Sequence, residues 1–240
     1  KFYLQIWVFL ALAAAYMLWR LGHYRRLPLV RMVWPKWIWT GTLLVLLASA
    51  AVYPVLGTRD RLRDRFDGSI TALTLDGTTF MERAVYEDQG SLILLSKDLD
   101  AIRWLLGTTD GHPNVTGSPT ILEAQTPMYR WGNRVSVYTG LPGIVGWGWH
   151  QTQPRWGYRP EVDRRLDDVK RIFETTNIQE ALAIIRRYNV EYVYLGELER
   201  LYYPEAGIAK FEDGLGGALK QVYGNGTVAI YRVGGYQVPQ

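Results

Sequence analysis

WIWTGTLLVLLASAAVYPVLGT, residues 37–58, runs twenty-two positions between Lys36 and Arg59 without a charged side chain. At about 1.5 Å per residue, a helix of this length reaches roughly 33 Å, enough to cross a hydrocarbon core of about 30 Å. The stretch is therefore expected to span a membrane over about 37–57, and the chain divides there. Before it lies a second apolar run; after it come roughly 180 residues of mixed apolar and polar patterning.

The earlier run, Phe2 to Trp19, reads FYLQIWVFLALAAAYMLW, eighteen uncharged residues with Gln5 as the one strongly polar side chain. Its length suits a first span at about 2–20. A cleaved signal peptide is the rival, but Trp19 and Arg20 stand where a cleavage site needs small residues. The connection at 21–36 holds Arg25, Arg26, Arg31 and Lys36, follows Arg20, includes His23 and contains no acid. The positive-inside bias makes this loop cytoplasmic, so the two spans form a hairpin and the rest of the chain is extracytoplasmic. Arg59, Arg61, Arg63 and Arg65 just after the second span pull the other way, with Asp60, Asp64 and Asp67 interleaved.

Charge by segment supports topology as its cause. Of 27 Lys and Arg, six precede residue 58 with no Asp or Glu; the remainder holds 27 − 6 = 21 basic against 23 acidic residues, or −2. The basic excess thus belongs to the hairpin and to a lipid bilayer, not to nucleic acid. The chain has no cysteine, which excludes disulfides, Cys-ligated zinc, iron–sulfur clusters and thiol nucleophiles. It opens on Lys1 rather than Met, directly against an apolar run, so it reads as the C-terminal piece of a longer protein or as a processed chain. Its partners are then upstream membrane helices of that protein or other membrane subunits.

Residues 59–96 read as linker and loops, with FDGS, LDGTTF and EDQG as turn signals. Over 97–233 the pattern is that of an α/β domain. Lys97 to Leu106 is expected to be a short helix with Asp98 as N-cap, and Thr120 to Ala124 and Val135 to Tyr138 are expected to be strands. Glu161 to Glu174 is amphipathic, with Val162, Leu166, Val169, Ile172 and Phe173 on one face. Arg164, Arg165, Asp167, Asp168 and Lys170 are expected to face solvent. Because adjacent helical residues diverge by about 100°, Asp167 and Asp168 read as a solvated face rather than a carboxylate pair.

Asn177 with Glu180 resembles a capping box that opens a helix to about Tyr188, and VEYVYL at 190–195 follows as a central strand. Helix then strand is half of a βαβ unit. Leu219 to Tyr223 and Thr227 to Arg232 flank Gly224-Asn225-Gly226 as a hairpin, and 234–240 is a tail. The fold class expected is a membrane hairpin of two transmembrane helices followed by a small soluble α/β domain with a mixed sheet.

Chemistry concentrates in Tyr129 to Pro160, YRWGNRVSVYTGLPGIVGWGWHQTQPRWGYRP, which packs four Trp, four Arg and three Pro into thirty-two residues broken by glycines. Trp147, Trp149 and Trp156 supply flat apolar faces beside Arg and Gln side chains. That combination suits a sugar ring, held by stacking, or a polyprenyl-phosphate headgroup, held by Arg. It equally suits a Trp-rich loop seated at the bilayer surface or packed on a partner. His150 has a pKa range suited to acid–base work, yet no Ser, Asp or Glu near it in sequence makes an obvious partner. Structural or hydrogen-bonding duty is the plainer reading of it. With only His23 and His112 elsewhere, a His-based metal site is not expected, and no cofactor is evident. No phosphate-binding glycine motif is present. Asn114-Val115-Thr116 and Asn225-Gly226-Thr227 match glycosylation sequons.

KFYLQIWVFLALAAAY at the start, RDRFDGSITALTLDGTTFM after the second span, the ILEA strand and above all YRWGNRVSVYTGLPGIVGWGWHQ resemble the C-terminal portion of the YYY family of multi-pass membrane proteins. That family is similar in layout to C-type glycosyltransferases, which use lipid-linked sugar donors. The resemblance covers nearly the whole chain. It implies a glycosyltransferase-like protein whose catalytic carboxylate lies upstream of residue 1, with a polyprenyl-phosphate sugar as donor. It also implies a substrate-binding set on the outer face: Glu123, Arg134, Tyr138, Trp147, His150 and Gln151. The family pattern reads Gly-Leu-Pro-Thr-Val where this chain has Gly140-Leu141-Pro142-Gly143-Ile144. A second class of function is a non-catalytic subunit docked through its spans in a photosynthetic or respiratory membrane complex. A soluble enzyme with a membrane anchor fits less well, since one span would suffice.

Overall fold

A computed structural model describes residues 2–24, 36–65, 74–107 and 114–234. Residues 25–35 of the basic loop, the FDGS turn, His112 and the tail from 235 fall outside these. The chain separates into two compact units, Lys1–Thr71 and Ala72–Gln240.

The first unit is built on helices α1 (Phe2–Tyr24) and α2 (Lys36–Arg65). Leu- and Ala-rich composition favours helix in both. Their apolar side chains point outward unprotected, as with Trp7 at 72% exposure, Leu46 at 62% and Tyr53 at 80%. A helix that is apolar on every side and has no protein cover suits lipid. By length and composition one helix among the described residues can cross a membrane, Thr40–Asp64; the apolar part of α1, Gln5–Arg20, is shorter. Helix α2 also runs on through RDRLRDR to Arg65, where the sequence reading placed the start of a linker. Arg61 and Asp64 stand three apart on it, as do Asp60 and Arg63, a spacing at which opposite charges support a helix.

The second unit holds a four-stranded mixed sheet of order β3-β4-β6-β5, formed by β3 (Thr120–Leu122), β4 (Val190–Leu195), β5 (Leu219–Gly224) and β6 (Ala229–Val233). Strand β3 runs parallel to β4; β6 is antiparallel to both β4 and β5. Strand β4 is central and covered on both sides. Val193 and Leu195 join the larger core with Ile172, Phe173, Ile184, Ile185 and Phe211, whereas Tyr192 and Tyr194 join a smaller one with Ala101, Leu105 and Val135. The helices supplying these residues are α3 (Leu95–Leu106), α4 (Arg134–Thr139), α6 (Arg159–Glu174), α7 (Ile178–Arg187) and α9 (Glu205–Glu212). Short helices α5 (Gly148–Thr152) and α8 (Glu197–Tyr202) complete the unit.

Several local expectations change. Within the segment read as linker, β1 (Val85–Asp88) and β2 (Ser91–Leu94) pair as a hairpin. Gln89 and Gly90 at its tip both have positive φ, 48° and 80°, the backbone that a tight two-residue turn needs. Met81 and Ile93 from this segment enter the core. Asp98 is not an N-cap but lies inside α3, buried. Val135 to Tyr138 is helix rather than strand, because the Glu123 carboxylate holds the first amides of α4; a tertiary contact overrides β-branched propensity here. Asp168 is buried, not solvated, and accepts from Arg187 at 3.0 Å and Tyr188 at 2.7 Å. Asn177 does cap α7, accepting from the amides of Gln179 and Glu180. The Glu180 carboxylate does not complete the box; it turns to Arg171 and Thr175.

Candidate functional site: an aromatic groove over a buried charge cluster

The chain leaves β3 at Leu122 and at once places Glu123, 4% exposed, beneath α4. Its carboxylate accepts from the amides of Val135 at 2.8 Å and Ser136 at 2.9 Å and from Ser136 Oγ at 2.6 Å. These are N–H groups that a helix start leaves without intrahelical partners. Burial pushes the Glu123 carboxyl above its usual value, against the opposing pull of the Arg134 charge and these hydrogen bonds.

Arg134, 2% exposed, is the cation of the cluster. Its Nε donates to Asp98 Oδ2 at 2.8 Å and its Nη2 to Glu199 Oε2 at 3.0 Å, while the guanidinium carbon lies 4.8 Å from the Tyr194 ring centroid. Asp98 also accepts from Tyr194 Oη at 2.5 Å and Trp131 Nε1 at 3.1 Å. Glu199 also accepts from the amides of Ala124 at 2.8 Å and Gly196 at 2.7 Å. Burial by itself would lower the Arg134 pKa, but the two carboxylates hold it well above the usual range. Burial, then the Asp98 charge, raises that of Tyr194. The cluster ties α3, α4 and α8 to the ends of β3 and β4, and every member has partners.

Beside this cluster lies an open groove of about 390 Å³, lined by Asn133, Ser136, Gly143, Trp147, His150 and Gln151 among others. Tyr129 packs on two of these lining rings, Trp147 and His150, with centroids 5.2 Å apart for Tyr129 and Trp147, 5.4 Å for Tyr129 and His150, and 5.5 Å for Trp147 and His150. His150 Nε2 and Tyr129 Oη are 3.0 Å apart. Among the described residues, two buried donors of groove-lining side chains have no partner, Asn133 Nδ2 and Trp147 Nε1. Asn133 Oδ1 is engaged by Gln125 Nε2 at 3.0 Å, which orients the amide. Tyr129 and Asn133 both have left-handed backbone, φ 66° and 60°. Such conformations in non-glycine residues concentrate at functional sites.

A wider concavity of about 870 Å³ adjoins the first and shares Gly143, Val145, Gly146 and Gln151 with it before reaching Arg155, Tyr158 and Arg165. Two glycines keep the passage open. A Cβ on Gly146 would come within 2.6 Å of Gln151 Nε2. One on Gly143 would press within 3.0 Å of Ser136 Oγ, the hydroxyl that serves Glu123.

The structure therefore sorts the six residues proposed from sequence. Trp147, His150 and Gln151 share the groove. Glu123 and Arg134 are buried in the packing around α4. Tyr138, half-buried, packs on Trp131 at 5.8 Å, and burial raises its pKa. Sequence reasoning passed over Tyr129 and Asn133; both lie in the unusual stretch, but only backbone geometry distinguishes them. Among the described residues no group of three or more His, Cys, Asp or Glu is placed to hold a metal ion.

Fold and site together define a mixed-sheet α/β unit with an aromatic groove, in a chain that also carries a membrane-length apolar helix. No protein-family model matches the chain, and no curated protein sequence matches it. Among solved structures the chain is similar to the C-terminal globular domain of oligosaccharyltransferase from Archaeoglobus fulgidus, with 14% identity and a TM-score of 0.35, over 56% of this chain and 95% of that one.

Proposed function

We propose that this chain is the C-terminal portion of a glycosyltransferase-like multi-pass membrane protein of the YYY type. In this reading its α/β unit faces the outer side and binds a sugar-bearing ligand, a glycan acceptor or a polyprenyl-phosphate sugar, in the groove at Trp147. Both apolar helices cross the bilayer as a hairpin, and the catalytic carboxylate is supplied from elsewhere in the protein. The observation that carries the proposal is the pair of unpartnered buried donors, Asn133 Nδ2 and Trp147 Nε1, beside the packed rings of Tyr129, Trp147 and His150. A buried donor without a partner costs about 1–3 kcal/mol, which a ligand oxygen recovers. Sugars present such oxygens around an apolar ring face that stacks on indole.

The test is binding of a short-chain polyprenyl-phosphate hexose by the full-length protein in nanodiscs, followed by intrinsic fluorescence. Trp147→Phe keeps the ring and removes the donor, and should weaken binding roughly 10-fold. His150→Ala should abolish both binding and sugar transfer with folding intact. Unchanged binding in both variants removes the site assignment. Stoichiometric copurification with a pigment or electron-transfer complex, without sugar binding, would establish the subunit reading instead.

A further inference from the structure

From residue 124 to residue 160 the chain has thirty-seven positions and no acidic side chain, yet it holds Arg130, Arg134, Arg155 and Arg159. The first two are matched from outside the stretch: Arg134 by Asp98 and Glu199, and Arg130 by Asp88 at 3.6 Å. The other two sit differently. Arg155 hydrogen-bonds neutral oxygens of Gln151, and Arg159 meets Asp163 at 3.5 Å in a pair where both side chains are exposed. Exposed pairs of that kind hold their partners weakly. Interleaved with these arginines are Trp149, Trp156 and Tyr158, exposed by 58%, 98% and 62%. Single exposed apolar residues are ordinary on a protein surface. Three large rings and two guanidinium groups within eleven consecutive residues make a patch that calls for a partner.

We propose that the turn from Trp149 to Arg159 rests in the headgroup layer of a bilayer, with Trp156 inserted among the lipids and Arg155 and Arg159 on lipid phosphates. Three observations select lipid as the occupant. Indole and phenol rings favour the membrane–water boundary, where one edge is apolar and the other wet. Guanidinium groups pair with phosphate oxygens, and no acid in this stretch repels them. Finally, the same chain carries a helix able to cross a membrane, Thr40–Asp64, so a lipid surface is present at high effective concentration. The proposal is independent of what the groove binds; it needs only that α2 spans a bilayer.

The absence of native cysteine makes the test direct. Trp156→Cys, and Lys220→Cys on an exposed position of β5 as control, are each labelled with an environment-sensitive fluorophore. The full chain is reconstituted in nanodiscs of phosphatidylcholine and phosphatidylglycerol containing a headgroup-nitroxide lipid. The expected result is blue-shifted, nitroxide-quenched emission at position 156 and aqueous, unquenched emission at 220. Adding Arg155→Ala and Arg159→Ala to Trp156→Cys should relieve most of the quenching. Aqueous emission at 156, or equal quenching at both positions, overturns the proposal. So does blue-shifted emission at 156 without quenching, which would mean that protein covers it. A triple variant quenched as strongly as its parent overturns the phosphate contacts. Near-UV circular dichroism confirms that each variant is folded, as expected for side chains at the surface.

Discussion

Asn133 and Arg134 are adjacent in the chain, yet their side chains meet opposite surroundings. The guanidinium of Arg134 finds two carboxylates and an aromatic face, while the Nδ2 of Asn133 is buried with no acceptor. The difference follows from what lies on each side of the α4 start. Towards the sheet, Asp98 and Glu199 arrive from α3 and α8 and close a network whose remaining lone pairs are met by Tyr194, Trp131 and backbone amides. For Asn133 Nδ2 no acceptor is found among the described residues. The first region therefore holds the fold in one arrangement, and the second leaves two buried donors, Asn133 Nδ2 and Trp147 Nε1, without a partner among the described residues.

The sharpest way to break this contrast is Arg134→Ala. It leaves Asp98 and Glu199 buried without their cation, and loss of one partner from a buried network costs about 3–5 kcal/mol. Urea unfolding of the full chain in detergent should show that loss; a change below about 1 kcal/mol would mean the cluster is far wetter than the structure shows. Next in size is Glu123→Ala, which strips the acceptor from the first amides of α4. Buried donors left unpaired cost about 1–3 kcal/mol, and hydrogen exchange at Val135 and Ser136 should accelerate with the loss.

Lys210 asks whether a buried cation lacking an anion behaves unlike Arg134. It is 5% exposed, donates to the carbonyls of Phe173 and Gly207, and among the described residues makes no ion pair. Burial lowers its pKa from 10.5 to about 8. Between those values the unfolded chain binds a proton that the folded chain does not. Stability should thus rise from pH 8 to 10.5 and be lost again as pH falls through 8, by on the order of 2 kcal/mol. Lys210→Met should flatten that slope in denaturation curves taken across the interval.

The smallest stability effect is expected on the groove side. Asn133 has φ 60°, which glycine adopts freely, so Asn133→Gly should change unfolding free energy by less than about 1 kcal/mol. Gln125 keeps its other acceptor, Val145 O, at 2.6 Å. Sugar binding should nevertheless fall, which separates a residue kept for a ligand from one kept for the fold. A large loss of stability instead would place Asn133 with Arg134.

Much of this molecule was legible in its order of residues. Periodicity located α3 and α6, the cap signal at Asn177 located α7, and the β-branched and aromatic run VEYVYL located the central strand β4, since all of these are local patterns written along the chain. The Gly224-Asn225-Gly226 turn marked the β5–β6 hairpin for the same local reason. Misreadings fell where a distant partner decides a residue's state. Asp98 looks like a cap and Asp168 like a solvated charge until Arg134 and Arg187 are brought beside them. Val135 to Tyr138 has strand propensity until Glu123 supplies acceptors for a helix start.

The groove divides along the same line. Composition pointed to the stretch that holds Trp147, Trp149, Trp156 and His150; Gln151, like Glu123, Arg134 and Tyr138, entered through the family resemblance. That Glu123 and Arg134 turn inward, and that Asn133 and Trp147 keep unpaired donors, depends on contacts between positions up to 96 residues apart. The chain by itself determined an apolar helix of membrane length and an α/β pattern after it, since hydrophobic length and period are local quantities. Only the tertiary structure decided which charges are neutralised and which donors stay open, because burial and pairing arise from the approach of segments distant in sequence.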